Sequence, residues 1–235
     1  MSVPLLFSRS YIKRILRTRP IALWPLSEPS GTVAIERVHG WHGTHVGVTL
    51  GQPGIGDGNT CPLYDGVNDY TNVYSAELAG AFNGSEGSLM AWAKVANAGV
   101  WTDGTTKYAA TVYRDSNNRV FIAKSSSANN CLVFAYYAGD GTANIARYVY
   151  GVTSTDWLHL CLTWSAGANE AIAYVDAQPK VPVTDFGAWV GAPTAVLIGA
   201  ASITPTSPWS GTLGPVALWD RALTPGEVAA LARVR

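Results

Sequence analysis

The chain has 235 residues, of which 48 % are hydrophobic and only 14 % charged, with 24 glycines, 13 prolines and 9 tryptophans. That composition excludes a disordered chain and a helical bundle and favours a β-rich protein with many turns. A net charge of +0 excludes a generally basic nucleic-acid binder, and no apolar run approaches the roughly 20 residues of a membrane span.

The charge is unevenly placed: Arg9, Lys13, Arg14, Arg17 and Arg19 all precede the first acid, Glu28. Residues 10–19 space Tyr11, Ile12, Ile15 and Leu16 on one helical face, with Ser10 as a cap and Pro20 as a stop. Such a helix is too short to persist alone. Either Ile12, Ile15 and Leu16 pack back on the rest of the chain, or residues 1–19 dock on a partner. The expected role is attachment through the five cations, with the domain proper at 20–235. The apolar run PLLF at 4–7 is too short for a secretory signal and the basic cluster follows it, so no Sec-type export is expected.

From residue 21 the pattern becomes short apolar or alternating runs broken by Gly, Asn, Asp and Pro. Strands are expected at 21–26, 44–49, 62–65, 69–73, 88–95, 107–114, 119–124, 131–137, 145–150, 157–164, 171–176, 195–200 and 212–219. About thirteen strands at this spacing specify an all-β fold, an antiparallel two-sheet jelly-roll sandwich. Asp115–Asn118 and Gly139-Asp-Gly141 offer residues that tolerate positive φ in hairpins. Thr224-Pro225-Gly226-Glu227 is a capping box opening a short C-terminal helix.

Little in the chain points to catalysis or metal binding. Cys61, Cys131 and Cys161 lack metal or redox spacing and read as core residues. Glycoside hydrolysis needs two carboxylates facing one another, but Glu28, Glu36, Glu77, Glu86, Glu170 and Glu227 have no strand-spaced acidic partner. Asp65 and Asp69 are divided by a turn. His39, His42 and His45 suggest a metal site, yet Gly40 and Gly43 put them in a turn and strand where the rings would not share one face. His159 sits in a core-like strand, and no Gly-x-Ser-x-Gly elbow is present.

The aromatics carry the binding expectation, since amphipathic rings suit both sugar stacking and subunit contacts. Trp24, Trp92, Trp157, Trp164 and Trp219 read as core. Trp101, Trp189 and Trp209 lie in loop-like surroundings and are expected to be exposed. Tyr136, Tyr137, Tyr148 and Tyr150 belong to one hairpin, where alternation should turn one tyrosine of each strand outward; Tyr136 and Tyr150 are the candidates.

Several segments, in order, resemble the laminin-G-like, concanavalin A-like jelly-roll superfamily over about residues 20–232. The strongest are Tyr64-Asp-Gly-Val-Asn-Asp-Tyr70 and Trp219-Asp-Arg-Ala-Leu-Thr-Pro225; Ala22-Leu-Trp-Pro-Leu26, Trp157-Leu-His-Leu-Cys-Leu-Thr-Trp164 and Tyr174-Val-Asp176 support them. The resemblance implies binding or adhesion more than catalysis. It also implies an acidic calcium ligand near Gly214-Pro215, where this chain has no carboxylate, so no cofactor is expected. The usual Val-Asp-Gly hairpin reads Val175-Asp-Ala177, which calls for a turn that Ala tolerates. A stand-alone domain with a helical lead-in also resembles bacteriophage structural proteins. The leading expectation is therefore a non-enzymatic virion surface protein, a capsid decoration or tail component. It would be held in an assembly or homo-oligomer by the arm, with surface glycans as further ligands. The alternative is a soluble carbohydrate-binding module or adhesin, and a glycoside hydrolase ranks last.

Overall fold

The computed structural model describes residues 8–139, 143–184 and 187–234, with the side chains of 8–10 and 143–146 outside that description. The chain runs α1 (Ser8–Arg17), β1 (Ala22–Trp24), β2 (Val33–Ala34), β3 (Gly43–Val46), β4 (Thr49–Pro53), β5 (Thr60–Asp65), β6 (Tyr70–Asn72) and α2 (Ala76–Ala81). It continues β7 (Glu86–Val95), β8 (Lys107–Asp115), β9 (Asn118–Lys124), β10 (Cys131–Ala138), β11 (Ala143–Tyr150), β12 (Leu158–Ser165) and β13 (Glu170–Val175). It ends β14 (Gln178–Pro179), β15 (Ala195–Ile198), β16 (Ser210–Trp219) and α3 (Pro225–Leu231).

Two antiparallel sheets form a sandwich. The first has the order β14-β13-β12-β7-β16-β5-β4, with β1 also on β16; the second runs β11-β10-β9-β8-β15-β6-β3-β2. Alternation decides what lies between them. Leu89, Ala91 and Ala93 of β7 and Leu160, Leu162 and Trp164 of β12 face Val112, Ile122, Leu132 and Phe134 of the second sheet in one buried core. β16 changes register between Leu213 and Val216. Pro215 has no N–H to give there, so the bulge falls where a central strand can carry a proline.

All the expected strands form, with one divided. The 44–49 run is broken at Gly47, which takes φ +80 and leaves no room for a Cβ beside the Asp69 carboxylate. The chain turns there from β3 into β4. β2 and β14 are two residues long and α2 only six, too brief for periodicity to show.

The outer face of the first sheet is covered by α1 and α3. Tyr11 and Ile15 are fully buried against Leu23, Met90, Trp92, Ala217 and Trp219, together with Val228 and Leu231 of α3. The lead-in helix therefore takes the packing alternative, its apolar face on the sandwich. Polar bonds fix it: Trp219 Nε1 donates to Thr18 Oγ1 at 3.0 Å and Arg221 Nη2 to Thr18 O at 2.9 Å. Arg14 donates to the carbonyls of Ala230 and Arg233 at the end of α3, so this attachment candidate is committed within the chain. Lys13, Arg17 and Arg19 are exposed, and the side chain of Arg9 lies outside the described residues. The helix is described from Ser8, so Ser10 lies inside it and is not its cap. Pro20 stops it as expected: Arg19, unable to stay helical before proline, sits at φ +56.

Two turns differ from expectation. Neither Ser116 nor Asn117 has positive φ; Asp115 Oδ1 instead accepts Asn117 N–H at 2.9 Å and organises the turn. At the β13–β14 hairpin, Asp176 and Ala177 sit at φ +49 and +64, so Ala177 occupies a conformation that Ala tolerates poorly. Asp140 and Gly141 lie outside the described residues. The C-terminal capping box forms as expected, with Thr224 Oγ1 and the Glu227 carboxylate bonding reciprocally. Among the described residues, no helix is long and apolar enough to cross a membrane.

Candidate functional site

Among the described residues, no helix lies over the outer face of the second sheet. Register puts Tyr148 and Tyr150 of β11, Val133, Ala135 and Tyr137 of β10, and Arg119, Phe121 and Ala123 of β9 on that face. Tyr108, Thr111 and Tyr113 of β8 and Ala195 and Leu197 of β15 continue it. The aromatics touch one another: Tyr108 and Phe121 lie 4.8 Å apart between centroids, and Phe121 and Tyr137 stack at 5.9 Å and 18°. The guanidinium of Arg119 lies over Tyr137 at 4.4 Å and Phe121 at 5.6 Å, geometry in which the ring faces attract the cation.

Beside this row runs a groove of about 450 Å³, lined by Tyr108, Thr111, Tyr113, Arg119, Thr194 and Ala195 and by the loop residues Ala201, Ser202, Ile203 and Thr206. The loop closes on itself, Ala201 N–H donating to Thr206 O and Ser202 Oγ meeting Thr206 Oγ1, both at 3.0 Å. Ile203 at its tip is 60 % exposed, a size of apolar group that water disfavours at a rim. Burial raises the Tyr108 phenol above its ordinary value despite the nearby Arg119 charge, which favours its ionised form. The phenol stays a hydrogen-bond donor at neutral pH. No lining residue is an Asp or Glu, so the groove offers aromatic faces, hydroxyls and one cation.

Of the aromatic candidates from sequence, Tyr150 and Trp189 retain surface. Tyr150 is 67 % exposed and stacks with Tyr148 at 6.3 Å and 21°; two residues apart on one strand, they share a face instead of alternating. Trp189 is half-buried, edge-on to Phe82 at 5.0 Å, with Nε1 donating to Gly191 O at 2.6 Å. A Cβ at Gly84 would strike its indole. The other three are corrected. Trp101, Trp209 and Tyr136 are buried in the core between the sheets. Each also has a polar tether: Trp101 Nε1 to Ser154 O, Trp209 Nε1 to Lys94 O and Tyr136 Oη to Gly84 O. The loops around both tryptophans fold inward, and Tyr137, not Tyr136, takes the outward position. Sequence reasoning missed Tyr108, Tyr113 and Arg119. Their alternation with Ala109, Val112 and Val120 was the available signal.

The carboxylates and histidines are otherwise employed. Glu36 accepts four backbone N–H groups, from Leu23, Val38, His39 and Gly40, at 2.6–2.9 Å. Burial pushes its carboxyl up, but those donors hold it below the usual range. Asp69 Oδ2 accepts Asp65 N–H at 2.8 Å, closing the turn that carries the chain from β5 of the first sheet to β6 of the second. The three spaced histidines go three ways. His39 stacks on Trp41, His42 Nδ1 accepts Glu36 N–H, and His45 lies buried between Thr71 and Glu28. All three cysteines are free and buried; burial pushes the Cys61 thiol up to about 12 and raises the other two.

Two antiparallel sheets packed as a sandwich define a lectin-type jelly roll. The chain belongs to the concanavalin A-like lectin/glucanases superfamily, whose description matches residues 65–229. No curated protein compared with the chain matches it. The fold is shared with domain 4 of AbnA, an extracellular arabinanase from Geobacillus stearothermophilus, in complex with arabinotriose. Identity there is 15 %, with 91 % of this chain and 98 % of that one covered and a TM-score of 0.62. Trypanosoma rangeli sialidase in complex with sialic acid gives 14 % identity and a TM-score of 0.64 over 90 % of this chain; the match spans 32 % of the sialidase. Ruminococcus gnavus IT-sialidase CBM40 bound to alpha2,3 sialyllactose gives 10 % identity, a TM-score of 0.54, and coverage of 67 % and 87 %.

Proposed function

We propose that this protein is a non-catalytic carbohydrate-binding domain, and that its ligand lies in the groove over β8 and β15. The lining carries this reading: tyrosine faces beside hydroxyls, with the carboxylates that hydrolysis would require absent from it. Neighbours of the same fold bound to arabinotriose or sialyllactose support it. Calorimetry against a panel of arabino-, galacto- and sialo-oligosaccharides tests it, with Tyr108→Ala and Tyr113→Ala as variants. Each loss of a stacking face should weaken binding about tenfold, with no release of reducing sugar. Binding untouched by both substitutions, or cleavage of the ligand, would overturn the reading.

A second reading, as a surface component of an assembly such as a virion, draws on the exposed Lys13, Arg17 and Arg19 of the lead-in, which make no ion pair among the described residues. Replacing these three by Gln and following co-sedimentation with particles decides whether they attach the domain to anything.

A further inference from the structure

We propose that the groove takes a glycan carrying a carboxylate, and that Arg119 recognises it; this rests on the carbohydrate-binding reading above. Among the described residues Arg119 makes no ion pair or hydrogen bond, whereas Lys107, Arg114, Lys124 and Arg221 are each paired with a carboxylate. Its Nε is buried without a partner. An unpaired guanidinium taken partly out of water is costly unless an anion completes it.

The surroundings hold this cation ready. Its guanidinium lies over Tyr137 at 4.4 Å and Phe121 at 5.6 Å, contacts that hold it without using its N–H groups. A planar, prepositioned fork suits a carboxylate bound through two parallel hydrogen bonds. The acid nearest in sequence, Asp115, is occupied by Arg114 at 3.2 Å and by the Asn118 amide at 2.9 Å. It leaves the charge of Arg119 uncancelled.

The threonine and serine hydroxyls around it are spoken for as donors. Thr194 Oγ1 donates to Arg114 O at 2.9 Å, Ser202 Oγ to Thr204 O at 2.5 Å, and Thr111 Oγ1 to Val120 O at 3.4 Å. What they offer a ligand is lone pairs, which suit sugar hydroxyls. A carboxylate needs donors, and Arg119 supplies them. The lining thus combines acceptors and two phenols for the neutral part of a sugar with one cation for an acidic substituent.

Calorimetry on the full chain tests this with four probes: 3′-sialyllactose and trigalacturonate, which carry the acid from two sources, and lactose and the trigalacturonate methyl ester, which lack it. At least one acid should bind about tenfold more tightly than its neutral counterpart, with an advantage that shrinks as salt screens it. Which acid binds distinguishes a sialic from a uronic ligand, and either supports the proposal. Arg119→Gln should remove the preference for the acid; the comparison of acid with ester on the unaltered protein needs no variant. Equal binding of acid and neutral forms overturns this proposal and leaves the carbohydrate reading standing. Binding of none of the four overturns this proposal, and the wider panel above then decides the carbohydrate reading.

Discussion

Tyr11 and Trp92 join the lead-in helix to the first sheet: Trp92 Nε1 donates to Tyr11 Oη at 2.6 Å, and Tyr11 Oη donates to Leu231 O of α3 at 2.8 Å. The rings meet edge-on at 6.4 Å and 72°. One hydroxyl thus serves a strand and a second helix at once. Burial drives the phenol well above its ordinary value, so it is protonated at neutral pH.

Tyr11→Phe should therefore cost about 1–3 kcal/mol, because it leaves a buried indole N–H and a buried carbonyl unsatisfied. Each kcal/mol lowers Tm by about 2–4 °C at this chain length. Removing residues 1–19 should cost more, since it uncovers Leu23, Met90, Trp92 and Trp219. Thermal melts of both proteins check this; a Tyr11→Phe protein that melts with the parent would contradict the bridging role.

His159 gives a prediction about acid. It is fully buried on β12, edge-on to Trp92 at 5.2 Å, with neither ring nitrogen partnered. Burial pushes its pKa down to about 3. An unfolded histidine titrates near ~6.5, so between those values the unfolded chain binds a proton that the folded chain refuses. Stability should fall as pH drops from about 6.5 towards 3. His159→Leu removes both the titration and the orphaned nitrogens. Denaturant melts should show the variant gaining on the parent as pH falls from 7 to 4, and parallel pH profiles would refute the assignment.

The β13–β14 hairpin is strained at a place that can be relieved. Positive φ at both Asp176 and Ala177 is the conformation that glycine takes freely and Ala adopts at a cost of about 1–2 kcal/mol. Part of that gain is lost to the greater freedom of glycine in the unfolded chain. Ala177→Gly should still raise stability by about 0.5–1 kcal/mol, read as an increase in Tm. A decrease would mean that the turn is not strained.

Much of the fold was legible because its determinants are local. Alternation in Leu132–Ala138 and in Leu158–Ser165 sets the inward faces, and Thr224 with Glu227 sets the start of α3. The binding face was legible only in part, because exposure depends on what packs over a residue. Trp101 and Trp209 sit among Gly, Pro and Thr, yet carbonyls distant in sequence, Ser154 and Lys94, draw their indoles inward. The helical face of Tyr11 and Ile15 was readable, but not whether this chain or a partner would cover it. Arg119 could be placed on a strand, but its lack of an acid depends on what Asp115 does in three dimensions.

The last prediction concerns ions and redox state. The family resemblance puts a calcium ligand near Gly214-Pro215. Here a Cβ at Gly214 would lie 3.0 Å from both Ile55 Cγ2 and Trp92 Cβ, an apolar contact with no room for a carboxylate and its ion. Asp57, the buried acid two residues beyond Ile55, is occupied by Asn59 through its backbone N–H at 3.0 Å and its amide at 2.6 Å. The three cysteines are free and buried, so no covalent link contributes to the fold. Thermal melts in chelator and in reductant should match those in plain buffer. A fall of more than about 5 °C with chelator would reveal an ion contributing roughly 1–3 kcal/mol, and the site would then have to be sought away from β16.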